Sequence, residues 1–164
     1  MIGARAGDVV LVVGANDAGL AAGVALVTGL NGRTVVLDRA DGASTRVEEA
    51  AAEAGALVEY QDAPPAMLPL DDATFDVVVI LTNARPDDRR AVVTEAVRVL
   101  KPGGRVLVRT ASGRGGLIGA ARTAAADEPG SPLDLLARAG AIAARCLADV
   151  QGVAYFEARK TRDV

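Results

Sequence analysis

The runs AIAARCLADV (141–150) and VAYFEARK (153–160) are separated only by Gln151 and Gly152. Parallel neighbours need a crossover of a dozen or more residues, whereas two residues suit the tight turn of an antiparallel hairpin. The chain is therefore expected to close on a hairpin. Upstream, short Val/Ile/Leu-rich runs alternate with helical segments. DVVLVVG (8–14), RTVVLDR (33–39), ALVEYQD (56–62), FDVVVILT (75–82) and GRVLVRT (104–110) read as strands. The first is apolar throughout, as expected of a strand covered on both faces. Helices are expected over 17–29, 45–54, from Pro86–Asp88 onward, and over 132–139. Repeated strand–helix–strand units imply a parallel sheet with helices on both faces.

Helix ends have their own signals. Thr45 and Glu48 form a capping-box pattern, and Gly55 is placed to end that helix. Val92, Val93, Ala96, Val97 and Leu100 recur at helical spacing until KPGG (101–104) stops the run. Ser131, Pro132 and Asp134 supply an N-cap, a first-turn proline and a carboxylate for the last helix.

Composition narrows the function. The chain has 164 residues, enough for one domain with a single core, and only 2% are aromatic. Its 18 basic and 21 acidic side chains give a net charge of -3, so no broad affinity for nucleic acid is expected. There is no histidine. This removes the commonest metal ligand, the Ser-His-Asp arrangement and the usual base near neutral pH, and no metal site is expected. The single cysteine, Cys146, excludes an internal disulfide and reads as a small core residue in a reducing compartment. Neither a signal-peptide stretch nor a membrane-spanning run is present, and a cytoplasmic domain without membrane association is expected.

The segment VVLVVGANDAGLAAG (9–23) has the outline of a strand, a tight loop and a helix start, the arrangement that holds cofactors in open α/β sheets. QDAPPAMLPLDDATFDVVV (61–79) and EAVRVLKPGGRVLV (95–108) extend the pattern in order and spacing. With them the chain, from about Asp8 to Lys160, resembles the class I S-adenosylmethionine-dependent methyltransferases of the small-molecule type. The closing helix and hairpin resemble that family as well. The resemblance implies an α/β fold: a Rossmann-like methyltransferase sheet of five parallel strands plus the C-terminal antiparallel hairpin, in one domain over 1–164. It implies S-adenosyl-L-methionine as cofactor and a small-molecule acceptor.

By the same resemblance, cofactor contacts fall on Gly14, Ala15, Asn16 and Gly19 of the first loop and on Asp38, Arg39, Asp62, Ala63, Leu81 and Thr82. Asp38 would accept two hydrogen bonds from the ribose diol, and its replacement would weaken binding with little effect on stability. Its simpler reading is a turn aspartate beside Arg39. Asp62 would accept from the adenine amino group while the Ala63 N–H meets the ring; its simpler reading is a loop aspartate before Pro64 and Pro65.

The chain departs from the family pattern in its first loop. Val12 stands where the family has an acid, and Asn16 and Ala18 stand at two glycine positions, with Gly19 able to serve as the last glycine after one extra residue. Asp17 adds negative charge near the methionyl carboxylate. Seven residues precede the first strand, so the family's N-terminal cover is expected to be missing, with a homodimer partner as one source of it. Asp87 and Asp88 are the nearest carboxylates for a base, but helix capping explains them more simply, and no catalytic residue is assigned. Three readings follow: a methyltransferase, a non-catalytic methyltransferase-like binding or dimerisation module with reduced cofactor affinity, and, last, a nicotinamide-dependent reductase. The reductase lacks its glycine pattern, and Tyr155 is followed four residues on by Arg159 rather than lysine.

Overall fold

The computed structural model describes residues 2–81, 86–111 and 129–162, and of residues 86, 87 and 111 the backbone only. The strands are β1 (Val9–Val13), β2 (Arg33–Asp38), β3 (Glu59–Asp62), β4 (Phe75–Ile80), β5 (Leu100–Ala111), β6 (Ala141–Val150) and β7 (Val153–Lys160). The described helices are α1 (Ala18–Thr28), α2 (Ala43–Ala54), α3 (Pro86–Val99) and α4 (Pro132–Arg138). All seven strands form one sheet in the order β3-β2-β1-β4-β5-β7-β6. β1 to β5 pair in parallel, whereas β7 runs antiparallel to β5 and β6 antiparallel to β7. The predicted hairpin completes the same sheet. Its turn residues, Gln151 and Gly152, both take positive φ, the twist that a two-residue hairpin turn requires.

β1 explains its own sequence. Leu11 and Val13 point into the core shared with α3 and α4, while Val10 and Val12 point into the core shared with α1 and α2. Each is fully buried, and burial of one such side chain stabilises the fold by roughly 1.5–3 kcal/mol. Polar residues therefore have no place in this strand until its carboxyl end. Cys146 packs against the α3/α4 core, as expected of a small apolar residue.

Three boundaries differ from the sequence expectation. α2 begins at Ala43 behind Gly42, which makes no side-chain cap, so Thr45 lies inside the helix rather than at its cap. Ala43 is buried against the sheet, and this packing sets the start of the helix. β3 begins only at Glu59, where pairing with β2 starts. The strand assigned to β5 runs through KPGG: β5 advances from Leu100 to Arg105 while β4 advances from Phe75 to Val77, leaving a bulge. Gly103 takes φ +78°, and a Cβ on Gly104 would lie 2.8 Å from the Lys101 carbonyl, so both glycines are required there.

The long connection from β3 to β4 is held by Arg98 on α3. Its guanidinium donates to the Leu68 and Leu70 carbonyls, to Glu95 and to Asp72, and Glu95 in turn accepts from the Leu68 N–H. The hydrogen bonds from Arg98 hold the Glu95 carboxyl below its ordinary value of 4.5. Because that pKa is depressed in the folded state, the stabilisation is complete above about pH 4.5 and is lost as pH falls through the lower folded value. Arg98→Ala is expected to destabilise the protein by about 1–3 kcal/mol at pH 7. The gap from wild type should narrow in thermal unfolding as the pH is lowered below 4.5; a gap that is constant with pH would exclude the Glu95 pair as its source.

Candidate cofactor site

The order of the sheet reverses between β1 and β4, and in open α/β sheets the ligand crevice lies at that point beyond the carboxyl ends of the strands. Register fixes which residues meet there. Val13 pairs with Leu37 on one side and Ile80 on the other, so Gly14, Asp38 and Leu81 form the next row. Asp38 pairs with Asp62. Two carboxylates and the loop after β1 thus share one edge of the sheet.

The loop is built by its neighbours. Gly14 takes φ +100° and donates to the Leu37 carbonyl at 2.8 Å. The Ala15 N–H donates to Asp38 Oδ2 at 2.7 Å. Asn16 donates from Nδ2 to the Leu81 carbonyl at 3.0 Å, while the Leu81 N–H donates to the Val13 carbonyl. Asp17 caps α1, its Oδ1 accepting from the Leu20 N–H at 3.0 Å, and its Oδ2 lies 3.4 Å from Arg109 Nη1. Gly19 is exposed, and a Cβ there would meet nothing closer than Asp17 Oδ1 at 3.9 Å.

Asp38 is 9% exposed and accepts from three backbone N–H groups: Ala15 on Oδ2, and Arg39 and Ala40 on Oδ1. A carboxylate offers about four acceptor positions, so one remains, on Oδ2. The geometry therefore leaves room for one ribose hydroxyl where the sequence suggested two. The Asp38 carbonyl is also engaged, accepting from the Tyr60 hydroxyl at 2.8 Å and from the Ala63 N–H at 3.3 Å. Burial, then the charges of Asp38 and Asp62, push the Tyr60 phenol pKa up, so it serves as a neutral donor.

Asp62 is exposed, and Arg39 approaches it at 3.9 Å with both side chains largely in solvent, a contact of little energetic weight. Thr82 lies outside the described residues. Asp88, on the first turn of α3, is exposed, and the Asp87 side chain lies outside the described residues. A small cavity of 70 Å³ opens at the same edge, lined in part by Ile80, Val92, Val93, Val108 and Leu135. A larger groove of 430 Å³ lies between α1 and β5–β7, but its lining carries no charged side chain. The carboxyl edge, where the charged side chains stand, is therefore the candidate site.

These residues suit a nucleoside with a polar tail: an acceptor on the second strand, an exposed acid on the third, and a charged pair beside the loop. The methyltransferase-domain family profile matches residues 11–108, from within β1 to within β5. The chain belongs to the class I S-adenosylmethionine-dependent methyltransferases. The family's cofactor is S-adenosyl-L-methionine. Among its relatives is the ubiquinone/menaquinone biosynthesis C-methyltransferase of Teredinibacter turnerae, 35% identical over 109 residues, which are 65% of this chain and 44% of that protein. The chain thus spans less than half the length of the curated relatives it matches. In fold it is similar to a SAM-dependent methyltransferase from Aquifex aeolicus, with TM-score 0.67 and 18% identity over 96% of this chain and 85% of that one. It is also similar to the [4+2]-cyclase SpnF, with TM-score 0.70 and 18% identity over 97% and 76%.

The sequence did not single out Arg109 or Tyr60. Arg109 was legible as the polar end of an apolar strand, but its partner across the sheet was not. The hydrogen bonds of Asp38 alter the expectation that it is dispensable for stability. Asp38→Ala would leave three loop N–H groups without their acceptor, at a cost of about 2–3 kcal/mol. Thermal unfolding should show a drop on the order of 5–10 °C; an unchanged midpoint would remove Asp38 from its structural role.

Proposed function

We propose that this domain binds S-adenosyl-L-methionine and transfers its methyl group to a small-molecule acceptor. The observation that carries the reading is the row formed by the Gly14 loop, Asp38 and Asp62 at the switch point, within the segment that matches the family. When bound, the cofactor supplies an electrophilic sulfonium methyl. Asp38 would hold the ribose through its remaining Oδ2 position, and Asp62 would accept from the adenine amino group. The loop from Gly14 to Asp17 would fix the remainder of the ligand. Direct displacement depends chiefly on alignment, which suits a site without histidine.

The acceptor reading rests on two supports. The net charge of -3 disfavours a polyanion. The curated relatives are named for quinone biosynthesis, which is chemistry on small organic molecules.

A second reading, a binding module without catalysis, is favoured by Asn16. Its side chain bridges to the Leu81 carbonyl, across the part of the loop where a glycine would let a ligand approach the backbone. The likeness to SpnF adds that the fold alone does not fix the reaction. Calorimetric titration separates the two. S-adenosylmethionine and S-adenosylhomocysteine are expected to bind with dissociation constants on the order of micromolar, about -8 kcal/mol, and NADH not at all. No binding of either nucleoside at millimolar concentration would favour the module.

A further inference from the structure

S-adenosyl-L-methionine ends in an α-amino acid that carries one positive and one negative charge. Asp38 and Asp62 are acids, and neither can hold a carboxylate. Beside the loop, however, Asp17 and Arg109 form an ion pair that joins the start of α1 to β5. β4 lies between β1 and β5 in the sheet, so the pair passes over the carboxyl end of β4, where Leu81 sits. We infer that this pair receives the amino-acid end of the cofactor, with Arg109 taking the carboxylate and Asp17 the ammonium. The inference rests on the cofactor reading above.

The pair is built loosely enough to open. Arg109 reaches Asp17 through Nη1 alone, at 3.4 Å. Arg33 and Glu59, by contrast, meet through two hydrogen bonds of 2.7 Å. The Asp17 and Arg109 side chains are 39% and 32% exposed. An arginine has five N–H donors in a planar fork that matches a carboxylate, and among the described residues Arg109 spends only this one long contact. Asp17 keeps its place through the cap on Leu20, which uses Oδ1, while Oδ2 faces the arginine.

Charge explains why a pair is needed. An unpaired Asp17 would repel the cofactor's carboxylate, and an unpaired Arg109 would repel its ammonium. Side by side they are the complement of a zwitterion, and insertion of the ligand exchanges one ion pair for two. The N-terminal end of α1 adds a favourable field for the carboxylate. The acid in the loop, read from sequence as a defect, is on this account one half of the receptor.

The test compares two ligands by calorimetry. S-adenosylhomocysteine carries the amino-acid end, and 5′-methylthioadenosine keeps the nucleoside without it. Arg109→Gln is expected to weaken S-adenosylhomocysteine about tenfold or more while leaving 5′-methylthioadenosine within about twofold. Asp17→Asn keeps a capping side chain and is expected to weaken only S-adenosylhomocysteine, by several-fold. Unchanged methylthioadenosine binding also shows that each variant is folded. Equal losses for both ligands, or no loss for either, would overturn the assignment and leave the pair a structural link. A wild type that binds methylthioadenosine as tightly as S-adenosylhomocysteine would overturn it too. A wild type that binds neither ligand would instead refute the cofactor reading itself.

Discussion

A buried carboxylate organises the carboxyl edge of the sheet. Asp38 gathers the N–H groups of Ala15, Arg39 and Ala40, and so ties the loop after β1 to the turn after β2. An anion this buried is tolerated only when its acceptor positions are filled, and backbone donors fill most of them. The same residue's carbonyl fastens the β3 edge through Tyr60 and Ala63. Three strand ends are thereby held in one arrangement before any ligand arrives. Such preorganisation would lower the cost of binding a ligand at this edge, because the loop would not need to be ordered by it.

The loop itself shows how a small-residue turn can be replaced by a cross-linked one. At one position where the family pattern has glycine this chain has Asn16, followed by Asp17, and both side chains make contacts that hold the loop. Asn16 anchors to the end of β4, and Asp17 caps α1 while facing Arg109 on β5. The conformational entropy that glycine would have retained in the unfolded chain is reduced, and side-chain hydrogen bonds hold the turn instead. A side chain then occupies space that a ligand could approach in the glycine version. The chain thus combines the family's architecture with a loop of different chemistry.

Elsewhere the supports are more ordinary but serve the same edge. The β3–β4 connection, which begins at Ala63, is fixed by Arg98 and Glu95 on α3. Lys160 on β7 donates to the Arg98 and Leu100 carbonyls at the end of that helix, where positive charge is favoured. The terminal hairpin is therefore linked to α3, and α3 to the loop that borders Asp62. Among the described residues no helix is long and apolar enough to cross a membrane.

The fold was legible because its signals are local. The period of the apolar runs, the two-residue link at Gln151–Gly152, the KPGG turn and the Ser131 cap each depend on neighbours in the chain. Boundaries failed where packing overrode such signals: burial of Ala43 moved the start of α2, and the lack of a pairing partner shortened β3. Asp38 and Asp62 were legible as candidates because strand ends are predictable and acids there are few. What Asp38 does for its own loop was not, because the Ala15 N–H comes from 23 residues away and only the sheet brings it near. The pairing of Asp17 with Arg109 spans 92 residues. The sequence determined which charges stand at the carboxyl edge. Only the tertiary structure decided which of them meet, since the distance between side chains on different strands is set by strand order and register.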